Sequence, residues 1–248
     1  KGLVTANTAI RDTDTLVFNL ITCPGYPELM QNMVEFNTDR GLTAIILGDT
    51  PFRLPANGTT LTNYGMNTIG AVDNNDSAAV TYDTGLAMFY PSGYTNDNLG
   101  NAIVVPPTHA MLRTILNSDN KSYPWFAPAG TRRGGITNAT AVGYVTSEGE
   151  FQSVALNNGQ RDVLQKSCKV NPITYITGTG LVNYGQMTRA KNASSLDRIN
   201  VARLVIYLRY QLNQIAKPYV FEPNDTITRN EIKQQIEKFL LELVGQRA

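Results

Sequence analysis

Apolar and polar positions divide the chain into short buried strands and amphipathic helices. Residues 15–22 form a β-branched-rich apolar run and predict a buried strand. Pro24, Gly25 and Pro27 punctuate it, and Pro27 suits the first turn of a helix. Leu29, Met33 and Phe36 then recur along one helical side, with Met30 and Val34 beside them, and Gly41 is placed to stop that helix. A second apolar run, 42–47, predicts another buried strand. Strand, helix and strand within about thirty residues predict a βαβ unit, hence a parallel pair with a right-handed crossover.

Polar punctuation dominates the next stretch. Residues 50–80 are rich in Asn, Gly, Thr and Asp and predict a long surface excursion with one short helix near Ile69. Runs at 86–90 and 102–105 predict a third and a fourth strand, separated by turn chemistry over 91–98. A helix starting near Pro107 carries His109, Met111, Leu112, Ile115 and Leu116. Residues 123–130 predict an irregular aromatic loop anchored by Trp125, because Pro124, Pro128 and Gly130 exclude regular structure. Residues 157–168 read as helical, and 172–184 as a β-hairpin turning at 178–180.

Two helices close the pattern. Ser195 is a candidate cap for the first, which runs to about Ala216. Val201, Leu204, Val205, Leu208, Leu212 and Ile215 form its expected core face, and Arg198, Arg203, Arg209 and Lys217 fall on the opposite half of the wheel. Thr228 and Glu231 have capping-box spacing for the second, in which Ile232, Ile236, Phe239, Leu240 and Leu243 repeat as one stripe. The pattern belongs to the α/β class. A boundary near 166–170 is expected to separate an α/β domain, 1–168, from an α+β domain, 169–248.

The 248 residues suffice for one large α/β domain or two coupled smaller ones. Charged residues make up only 17%, with Asn, Thr and Gly in their place. Such a surface costs less to desolvate than one rich in Lys and Glu, which suits a chain packed against neighbours. Net charge is +1, without the basic excess that nucleic-acid binding uses, and no apolar run reaches transmembrane length. Neither nucleic acid nor membrane is therefore an expected partner. Cys23 and Cys168 read as thiols rather than a bridge.

Catalytic signals are sparse. His109 is the only histidine, and the sequence has no CxxC, HExxH, P-loop or GxSxG motif. Asp49, at a strand end, is the available carboxylate partner for His109 in a Ser-His-Asp arrangement. No catalytic, cofactor-binding or metal-binding residue is assigned. Arg132 and Arg133, before Gly134 and Gly135, either bind an anionic partner or pair with local carboxylates. The one-signed face of Arg198, Arg203, Arg209 and Lys217 is either solvated or turned toward an acidic partner.

Taken in order, several stretches resemble the contractile tail sheath proteins of phages and related injection systems. They are residues 16–25 through 44–51, 86–91, 104–107, 124–134, 171–173, 200–204 and 218–224. The most specific is W-x-A-P-A-G-x-x-R-G, running from Trp125 to Gly134. The resemblance implies a subtilisin-like mixed sheet with flanking helices and no protease function, then a smaller C-terminal domain of a hairpin and two helices facing the tail tube. It implies no enzyme activity and no cofactor. Implied partners are other copies of the chain in a helical sheath, the tail tube protein, and the baseplate and tail terminator proteins. The implied location is the virion tail, after assembly in the host cytoplasm. In that setting Arg198, Arg203, Arg209 and Lys217 are candidate tube contacts, and Arg132 and Arg133 candidate inter-subunit contacts.

Members of the family usually carry an N-terminal extension and a C-terminal strand and arm that weave neighbours by strand addition. This chain is expected to be a central fragment lacking both. The 50–80 excursion is not a family landmark. The competing readings are a hydrolase on a subtilisin-like α/β scaffold, which would depend on His109, and an adhesion module presenting the Asn- and Thr-rich surface.

Overall fold

The computed structural model describes residues 8–72 and 74–248. The chain begins with strand β1 (Leu20–Thr22), helix α1 (Met30–Asp39) and strand β2 (Ile45–Asp49), then helix α2 (Gly58–Met66) and strand β3 (Leu86–Tyr90). Strands β4 (Ser92–Asn96) and β5 (Ala102–Val105) lead into helix α3 (Pro107–Lys121) and the short helix α4 (Gly130–Arg133). Strands β6 (Ala141–Val145) and β7 (Phe151–Ser153) precede helix α5 (Asn158–Asp162), which widens into a π-helical turn, Val163–Ser167. The hairpin β8 (Val170–Ile176) and β9 (Gly180–Asn183) is followed by the long helices α6 (Ile199–Ala216) and α7 (Thr226–Gly245).

The main sheet has order β1-β2-β3-β8-β9, parallel except for the antiparallel β8–β9 edge. The expected βαβ unit is present, and the fold is a mixed α/β one. All five residues of both β2 and β3 are buried, as parallel strands covered on both faces require. Side-chain alternation sends Ile46, Leu86 and Met88 to a core with Met30, Met33 and Phe36 of α1 and Leu61 and Tyr64 of α2. Ile45, Leu47, Ala87 and Phe89 face the other core, with Met111 and Ile115 of α3 and Ile199 and Ile206 of α6. A Cβ on Gly48 would lie 2.5 Å from the Met30 sulfur, so glycine there permits α1 to pack this closely.

Several expectations are corrected. Pairing begins at Leu20, not at residue 15, and Leu16 and Val17 are exposed. The Arg40 guanidinium binds the carbonyls of Ile10 and Leu16 and lies 3.8 Å over the Phe18 ring, which holds this segment off the sheet. Likewise β2 starts at Ile45, after Gly41 and Leu42 turn in left-handed conformation.

Residues 91–98 are not a turn. They contain β4, the second strand of an antiparallel sheet ordered β5-β4-β6-β7. Its Gly93 reads as turn chemistry, yet a Cβ there would come within 3.0 Å of Val105, so the absent side chain is what allows the close pairing.

The 50–80 excursion is folded against the body rather than laid on the surface. Its helix is α2, ended by Asn67 in left-handed conformation, and Ile69 lies beyond it, exposed. The Asn75 side chain is fully buried, accepting from the amides of Val80 and Thr81 and donating to the Thr81 hydroxyl.

The boundary expected at 168/169 does not separate two cores. β8 pairs with β3 in the main sheet, and Ile173, Ile199, Ala202 and Ile206 complete a core begun by β2 and α3. Ser195 sits in a 3₁₀ turn, and α6 is preceded by Arg198 without a side-chain cap. The buried strip of α6 is Ile199, Ala202, Arg203 and Ile206, rotated from the expected Leu204–Leu208 face. The rotation follows from its neighbours: α3 supplies Asp119 to Arg203, and α7 places Phe239 6.3 Å from Tyr207. Helix α7 is capped by Asp225, which accepts from the Thr228 amide, rather than by Thr228. Leu243 is buried as expected, whereas Leu240 is exposed.

Candidate interaction surfaces

The carboxyl ends of the parallel strands are the first place to look for chemistry. There Asp49, at the end of β2, is 3% exposed. One carboxylate oxygen accepts from the Thr108 amide at 2.8 Å; the other accepts from the Thr108 hydroxyl and the Gly25 amide, both at 2.8 Å. Burial raises its pKa to about 6, against the three hydrogen bonds, which favour the charged form. The carboxylate thus ties the β1–α1 loop to the first turn of α3, where negative charge suits the helix dipole. His109 is exposed, and its backbone carbonyl takes the Asn138 amide. The geometry gives Asp49 to Thr108 and Gly25, not to the imidazole. Among the described residues, no cluster of three His, Cys, Asp or Glu is placed to hold a metal ion. Among the described residues no helix is long and apolar enough to cross a membrane, and Cys23 and Cys168 are free thiols.

The basic residues of α6 separate into different environments. Arg203 is 3% exposed and forms a two-pronged pair with Asp119 of α3, at 2.9 and 2.5 Å. It therefore leaves the solvent-facing set, correcting its place in the expected basic face. Arg198 is half exposed, 3.3 Å from the Asp197 carboxylate. Arg209 is exposed and donates to the Leu42 carbonyl, and Lys217 pairs with Asp14 at 2.6 Å. Arg132 is exposed on α4, whereas Arg133 stacks 4.3 Å from the Phe126 ring centre. Trp125 is buried beside them, stacked on Tyr123 and tilted against Tyr207, as expected for an anchor.

Sequence reasoning passed over two further arginines. Arg189 is fully buried, with its donors on the carbonyls of Gly65, Ala79, Thr81 and Cys168 and its plane 4.3 Å from the Tyr82 ring centre. Arg40 is 3% exposed and also bonded to carbonyls, those of Ile10, Asp12 and Leu16. Neither has a carboxylate within ion-pair distance among the described residues. Their partners lie far off in sequence, so no local motif announces them.

What the molecule presents is thus a set of aromatic and basic surfaces anchored to its body by long-range contacts. Its fold is that of contractile-sheath structures. A chain of the contracted helical sheath of the anti-feeding prophage superposes with a TM-score of 0.67 at 21% identity, covering 92% of this chain and 55% of that one. A chain of the contracted anti-feeding prophage baseplate gives a TM-score of 0.72 at 22% identity, covering 97% and 60%.

In sequence, the chain is 36% identical over 123 residues to the tail sheath protein of Vibrio phage KVP40. It is 33% identical over 123 residues to the tail sheath protein of Enterobacteria phage T4. In each case the matched segment is 50% of this chain and 17% of the relative. No family model matches the chain.

Proposed function

We propose that the chain is a structural subunit of a phage contractile tail sheath, one that polymerises helically around the tail tube and contracts to drive the tube through the host envelope. The observation that carries this reading is a coincidence of two likenesses. Sheath fold extends over nine-tenths of the chain, and tail sheath sequence over half of it. In this role the subunit is a brick and not an enzyme. Head-to-tail contacts between unlike patches build open helices rather than closed rings. Contraction is then a rigid-body change between two packings, with free energy held between copies.

The exposed basic residues Arg198, Arg209 and Lys217 are the proposed contacts to an acidic tube, and Arg132 a proposed contact to a neighbouring subunit. Baseplate and terminator proteins would bound the polymer at its two ends, with assembly in the host cytoplasm before incorporation in the virion tail. The test is to co-express the polypeptide carrying this chain with its tube protein and image the product by electron microscopy. Striated tubular sheaths are expected, and dispersed particles beside bare tubes would refute the reading. Reversing Arg198, Arg209 and Lys217 to Glu should weaken tube binding most at low salt. Unchanged binding would remove the tube-contact assignment alone.

A further inference from the structure

A groove of about 390 Å³ runs between the segment before β1 and helix α6. Its apolar walls are Val17, Phe18, Pro124, Tyr207 and Tyr210, and the guanidinium groups of Arg40 and Arg203 border it. Arg203 is neutralised by Asp119, but among the described residues Arg40 is bonded only to carbonyls, with Asp12 acting on it at longer range. Arg40 and Thr43 both line the groove, and the Arg40 Nε and the Thr43 hydroxyl are buried without hydrogen-bond partners among the described residues. The groove is therefore aromatic, underused and net positive, and it is of a size that holds a bulky side chain.

The chain also carries the complementary shape. In the turn between α6 and α7, Phe221 is 98% exposed and Val220 68% exposed. Glu222, beside them, is exposed and has no side-chain partner among the described residues. This turn follows the last residue of α6, Ala216. Val220 borders an adjoining recess that shares Thr13, Arg40, Thr43 and Tyr210 with the groove, but Phe221 beside it stays in solvent. The knob does not enter the groove of its own chain.

We propose that the groove receives the 220–222 turn of a second copy, with the Phe221 ring between Tyr207, Tyr210 and Phe18 and the Glu222 carboxylate toward Arg40. The match is double: an aromatic knob with a negative neighbour meets an aromatic hole whose arginine has no carboxylate at ion-pair distance among the described residues. Knob and hole are different patches of one surface, so the contact propagates head to tail. The inference rests on the reading of the chain as a self-assembling subunit, and it names one of the contacts.

The test uses sedimentation velocity on the chain and two variants at exposed positions, Phe221→Ser, which removes the knob, and Val17→Glu, which blocks the hole. Trp125, the only tryptophan, has its ring centre 5.4 Å from that of Tyr207, so its emission reports independently on the groove. The wild-type chain should associate with rising concentration and shift Trp125 emission as it does. Each variant alone should associate at least tenfold more weakly, with thermal unfolding unchanged. An equimolar mixture should form a one-to-one complex, because Val17→Glu retains the knob and Phe221→Ser retains the hole. A wild-type chain that stays monomeric, a Phe221→Ser variant that associates like wild type, or a mixture that fails to recover would overturn the proposal. Sheath formation in the electron microscope despite any of these results would leave the functional reading standing.

Discussion

Replacing Arg189 by Met tests whether the folded excursion depends on one buried cation. The guanidinium donates to four carbonyls from three separate segments: Gly65 at the end of α2, Ala79 and Thr81 in the descending loop, and Cys168 before β8. Gly65 lies among the last carbonyls of its helix, which lack intrahelical partners, and a cation there also suits the helix dipole. Methionine fills much of the volume but leaves four buried acceptors without donors, each costing about 1–3 kcal/mol. Removing a desolvated charge returns part of this, since burial already holds the Arg189 pKa below its ordinary value. The net expectation is a loss of about 3–5 kcal/mol, a large fraction of the roughly 5–15 kcal/mol that holds a domain folded. Arg189→Lys, with a point charge that reaches fewer of the four carbonyls, should lose about half as much. Urea unfolding at constant m gives the magnitude, and hydrogen exchange gives the place: amides of residues 58–82 should lose protection first. A Met variant within 1 kcal/mol of wild type with unaltered exchange over 58–82 would refute the reasoning.

Two further outcomes follow from the buried carboxylate and the buried pair. The folded-state pKa of Asp49, about 6, lies above the ordinary value of 3.8, so the native state holds the proton more tightly. Its stabilising contribution is then complete below about pH 4 and lost as pH rises through 6, a change of about 3 kcal/mol. Asp49→Asn removes that titration, so unfolding free energies of wild type and variant should diverge between pH 4 and 7; parallel profiles would contradict the assignment. Arg203→Met strands Asp119 and should cost about 2–4 kcal/mol in urea unfolding, against less than about 0.5 for Arg209→Met. Equal costs would return Arg203 to the surface.

The strands and helices legible in the sequence were those whose signal is local. β3 and β5 stand where continuous apolar runs placed them, and α3 begins at the proline that suits a first helical turn. What escaped was decided at long range. The run 15–22 has the composition of one strand, yet Arg40, more than twenty residues on, claims the Leu16 carbonyl. β4 was hidden because its glycine, read locally, means a turn, whereas the requirement it meets is contact with Val105. A helical wheel assigns every arginine outward, so Arg203 could not be distinguished from Arg209. The distinction lies in Asp119, 84 positions away. The surfaces proposed for assembly were less legible still, because the Arg40 groove is walled by side chains from four separate stretches of the sequence.

These long-range anchors bear on how such a subunit could work. If contraction exchanges one packing of rigid bodies for another, the interior must resist deformation better than the contacts between copies. Helix α6 carries much of the proposed contact surface, and it is held to the main sheet in two ways. Ile199, Ala202 and Ile206 enter the core formed with β2, β3 and α3, and Arg203 locks the same face to Asp119. A load applied at Arg209, Lys217 or the groove beside Tyr207 is therefore passed to α3 and the parallel strands. At the far end of those strands, Asp49 fastens α3 in turn to the β1–α1 loop. The polar groups buried in this body join segments distant in sequence, and a specific junction of that kind keeps a surface in register while the whole subunit turns.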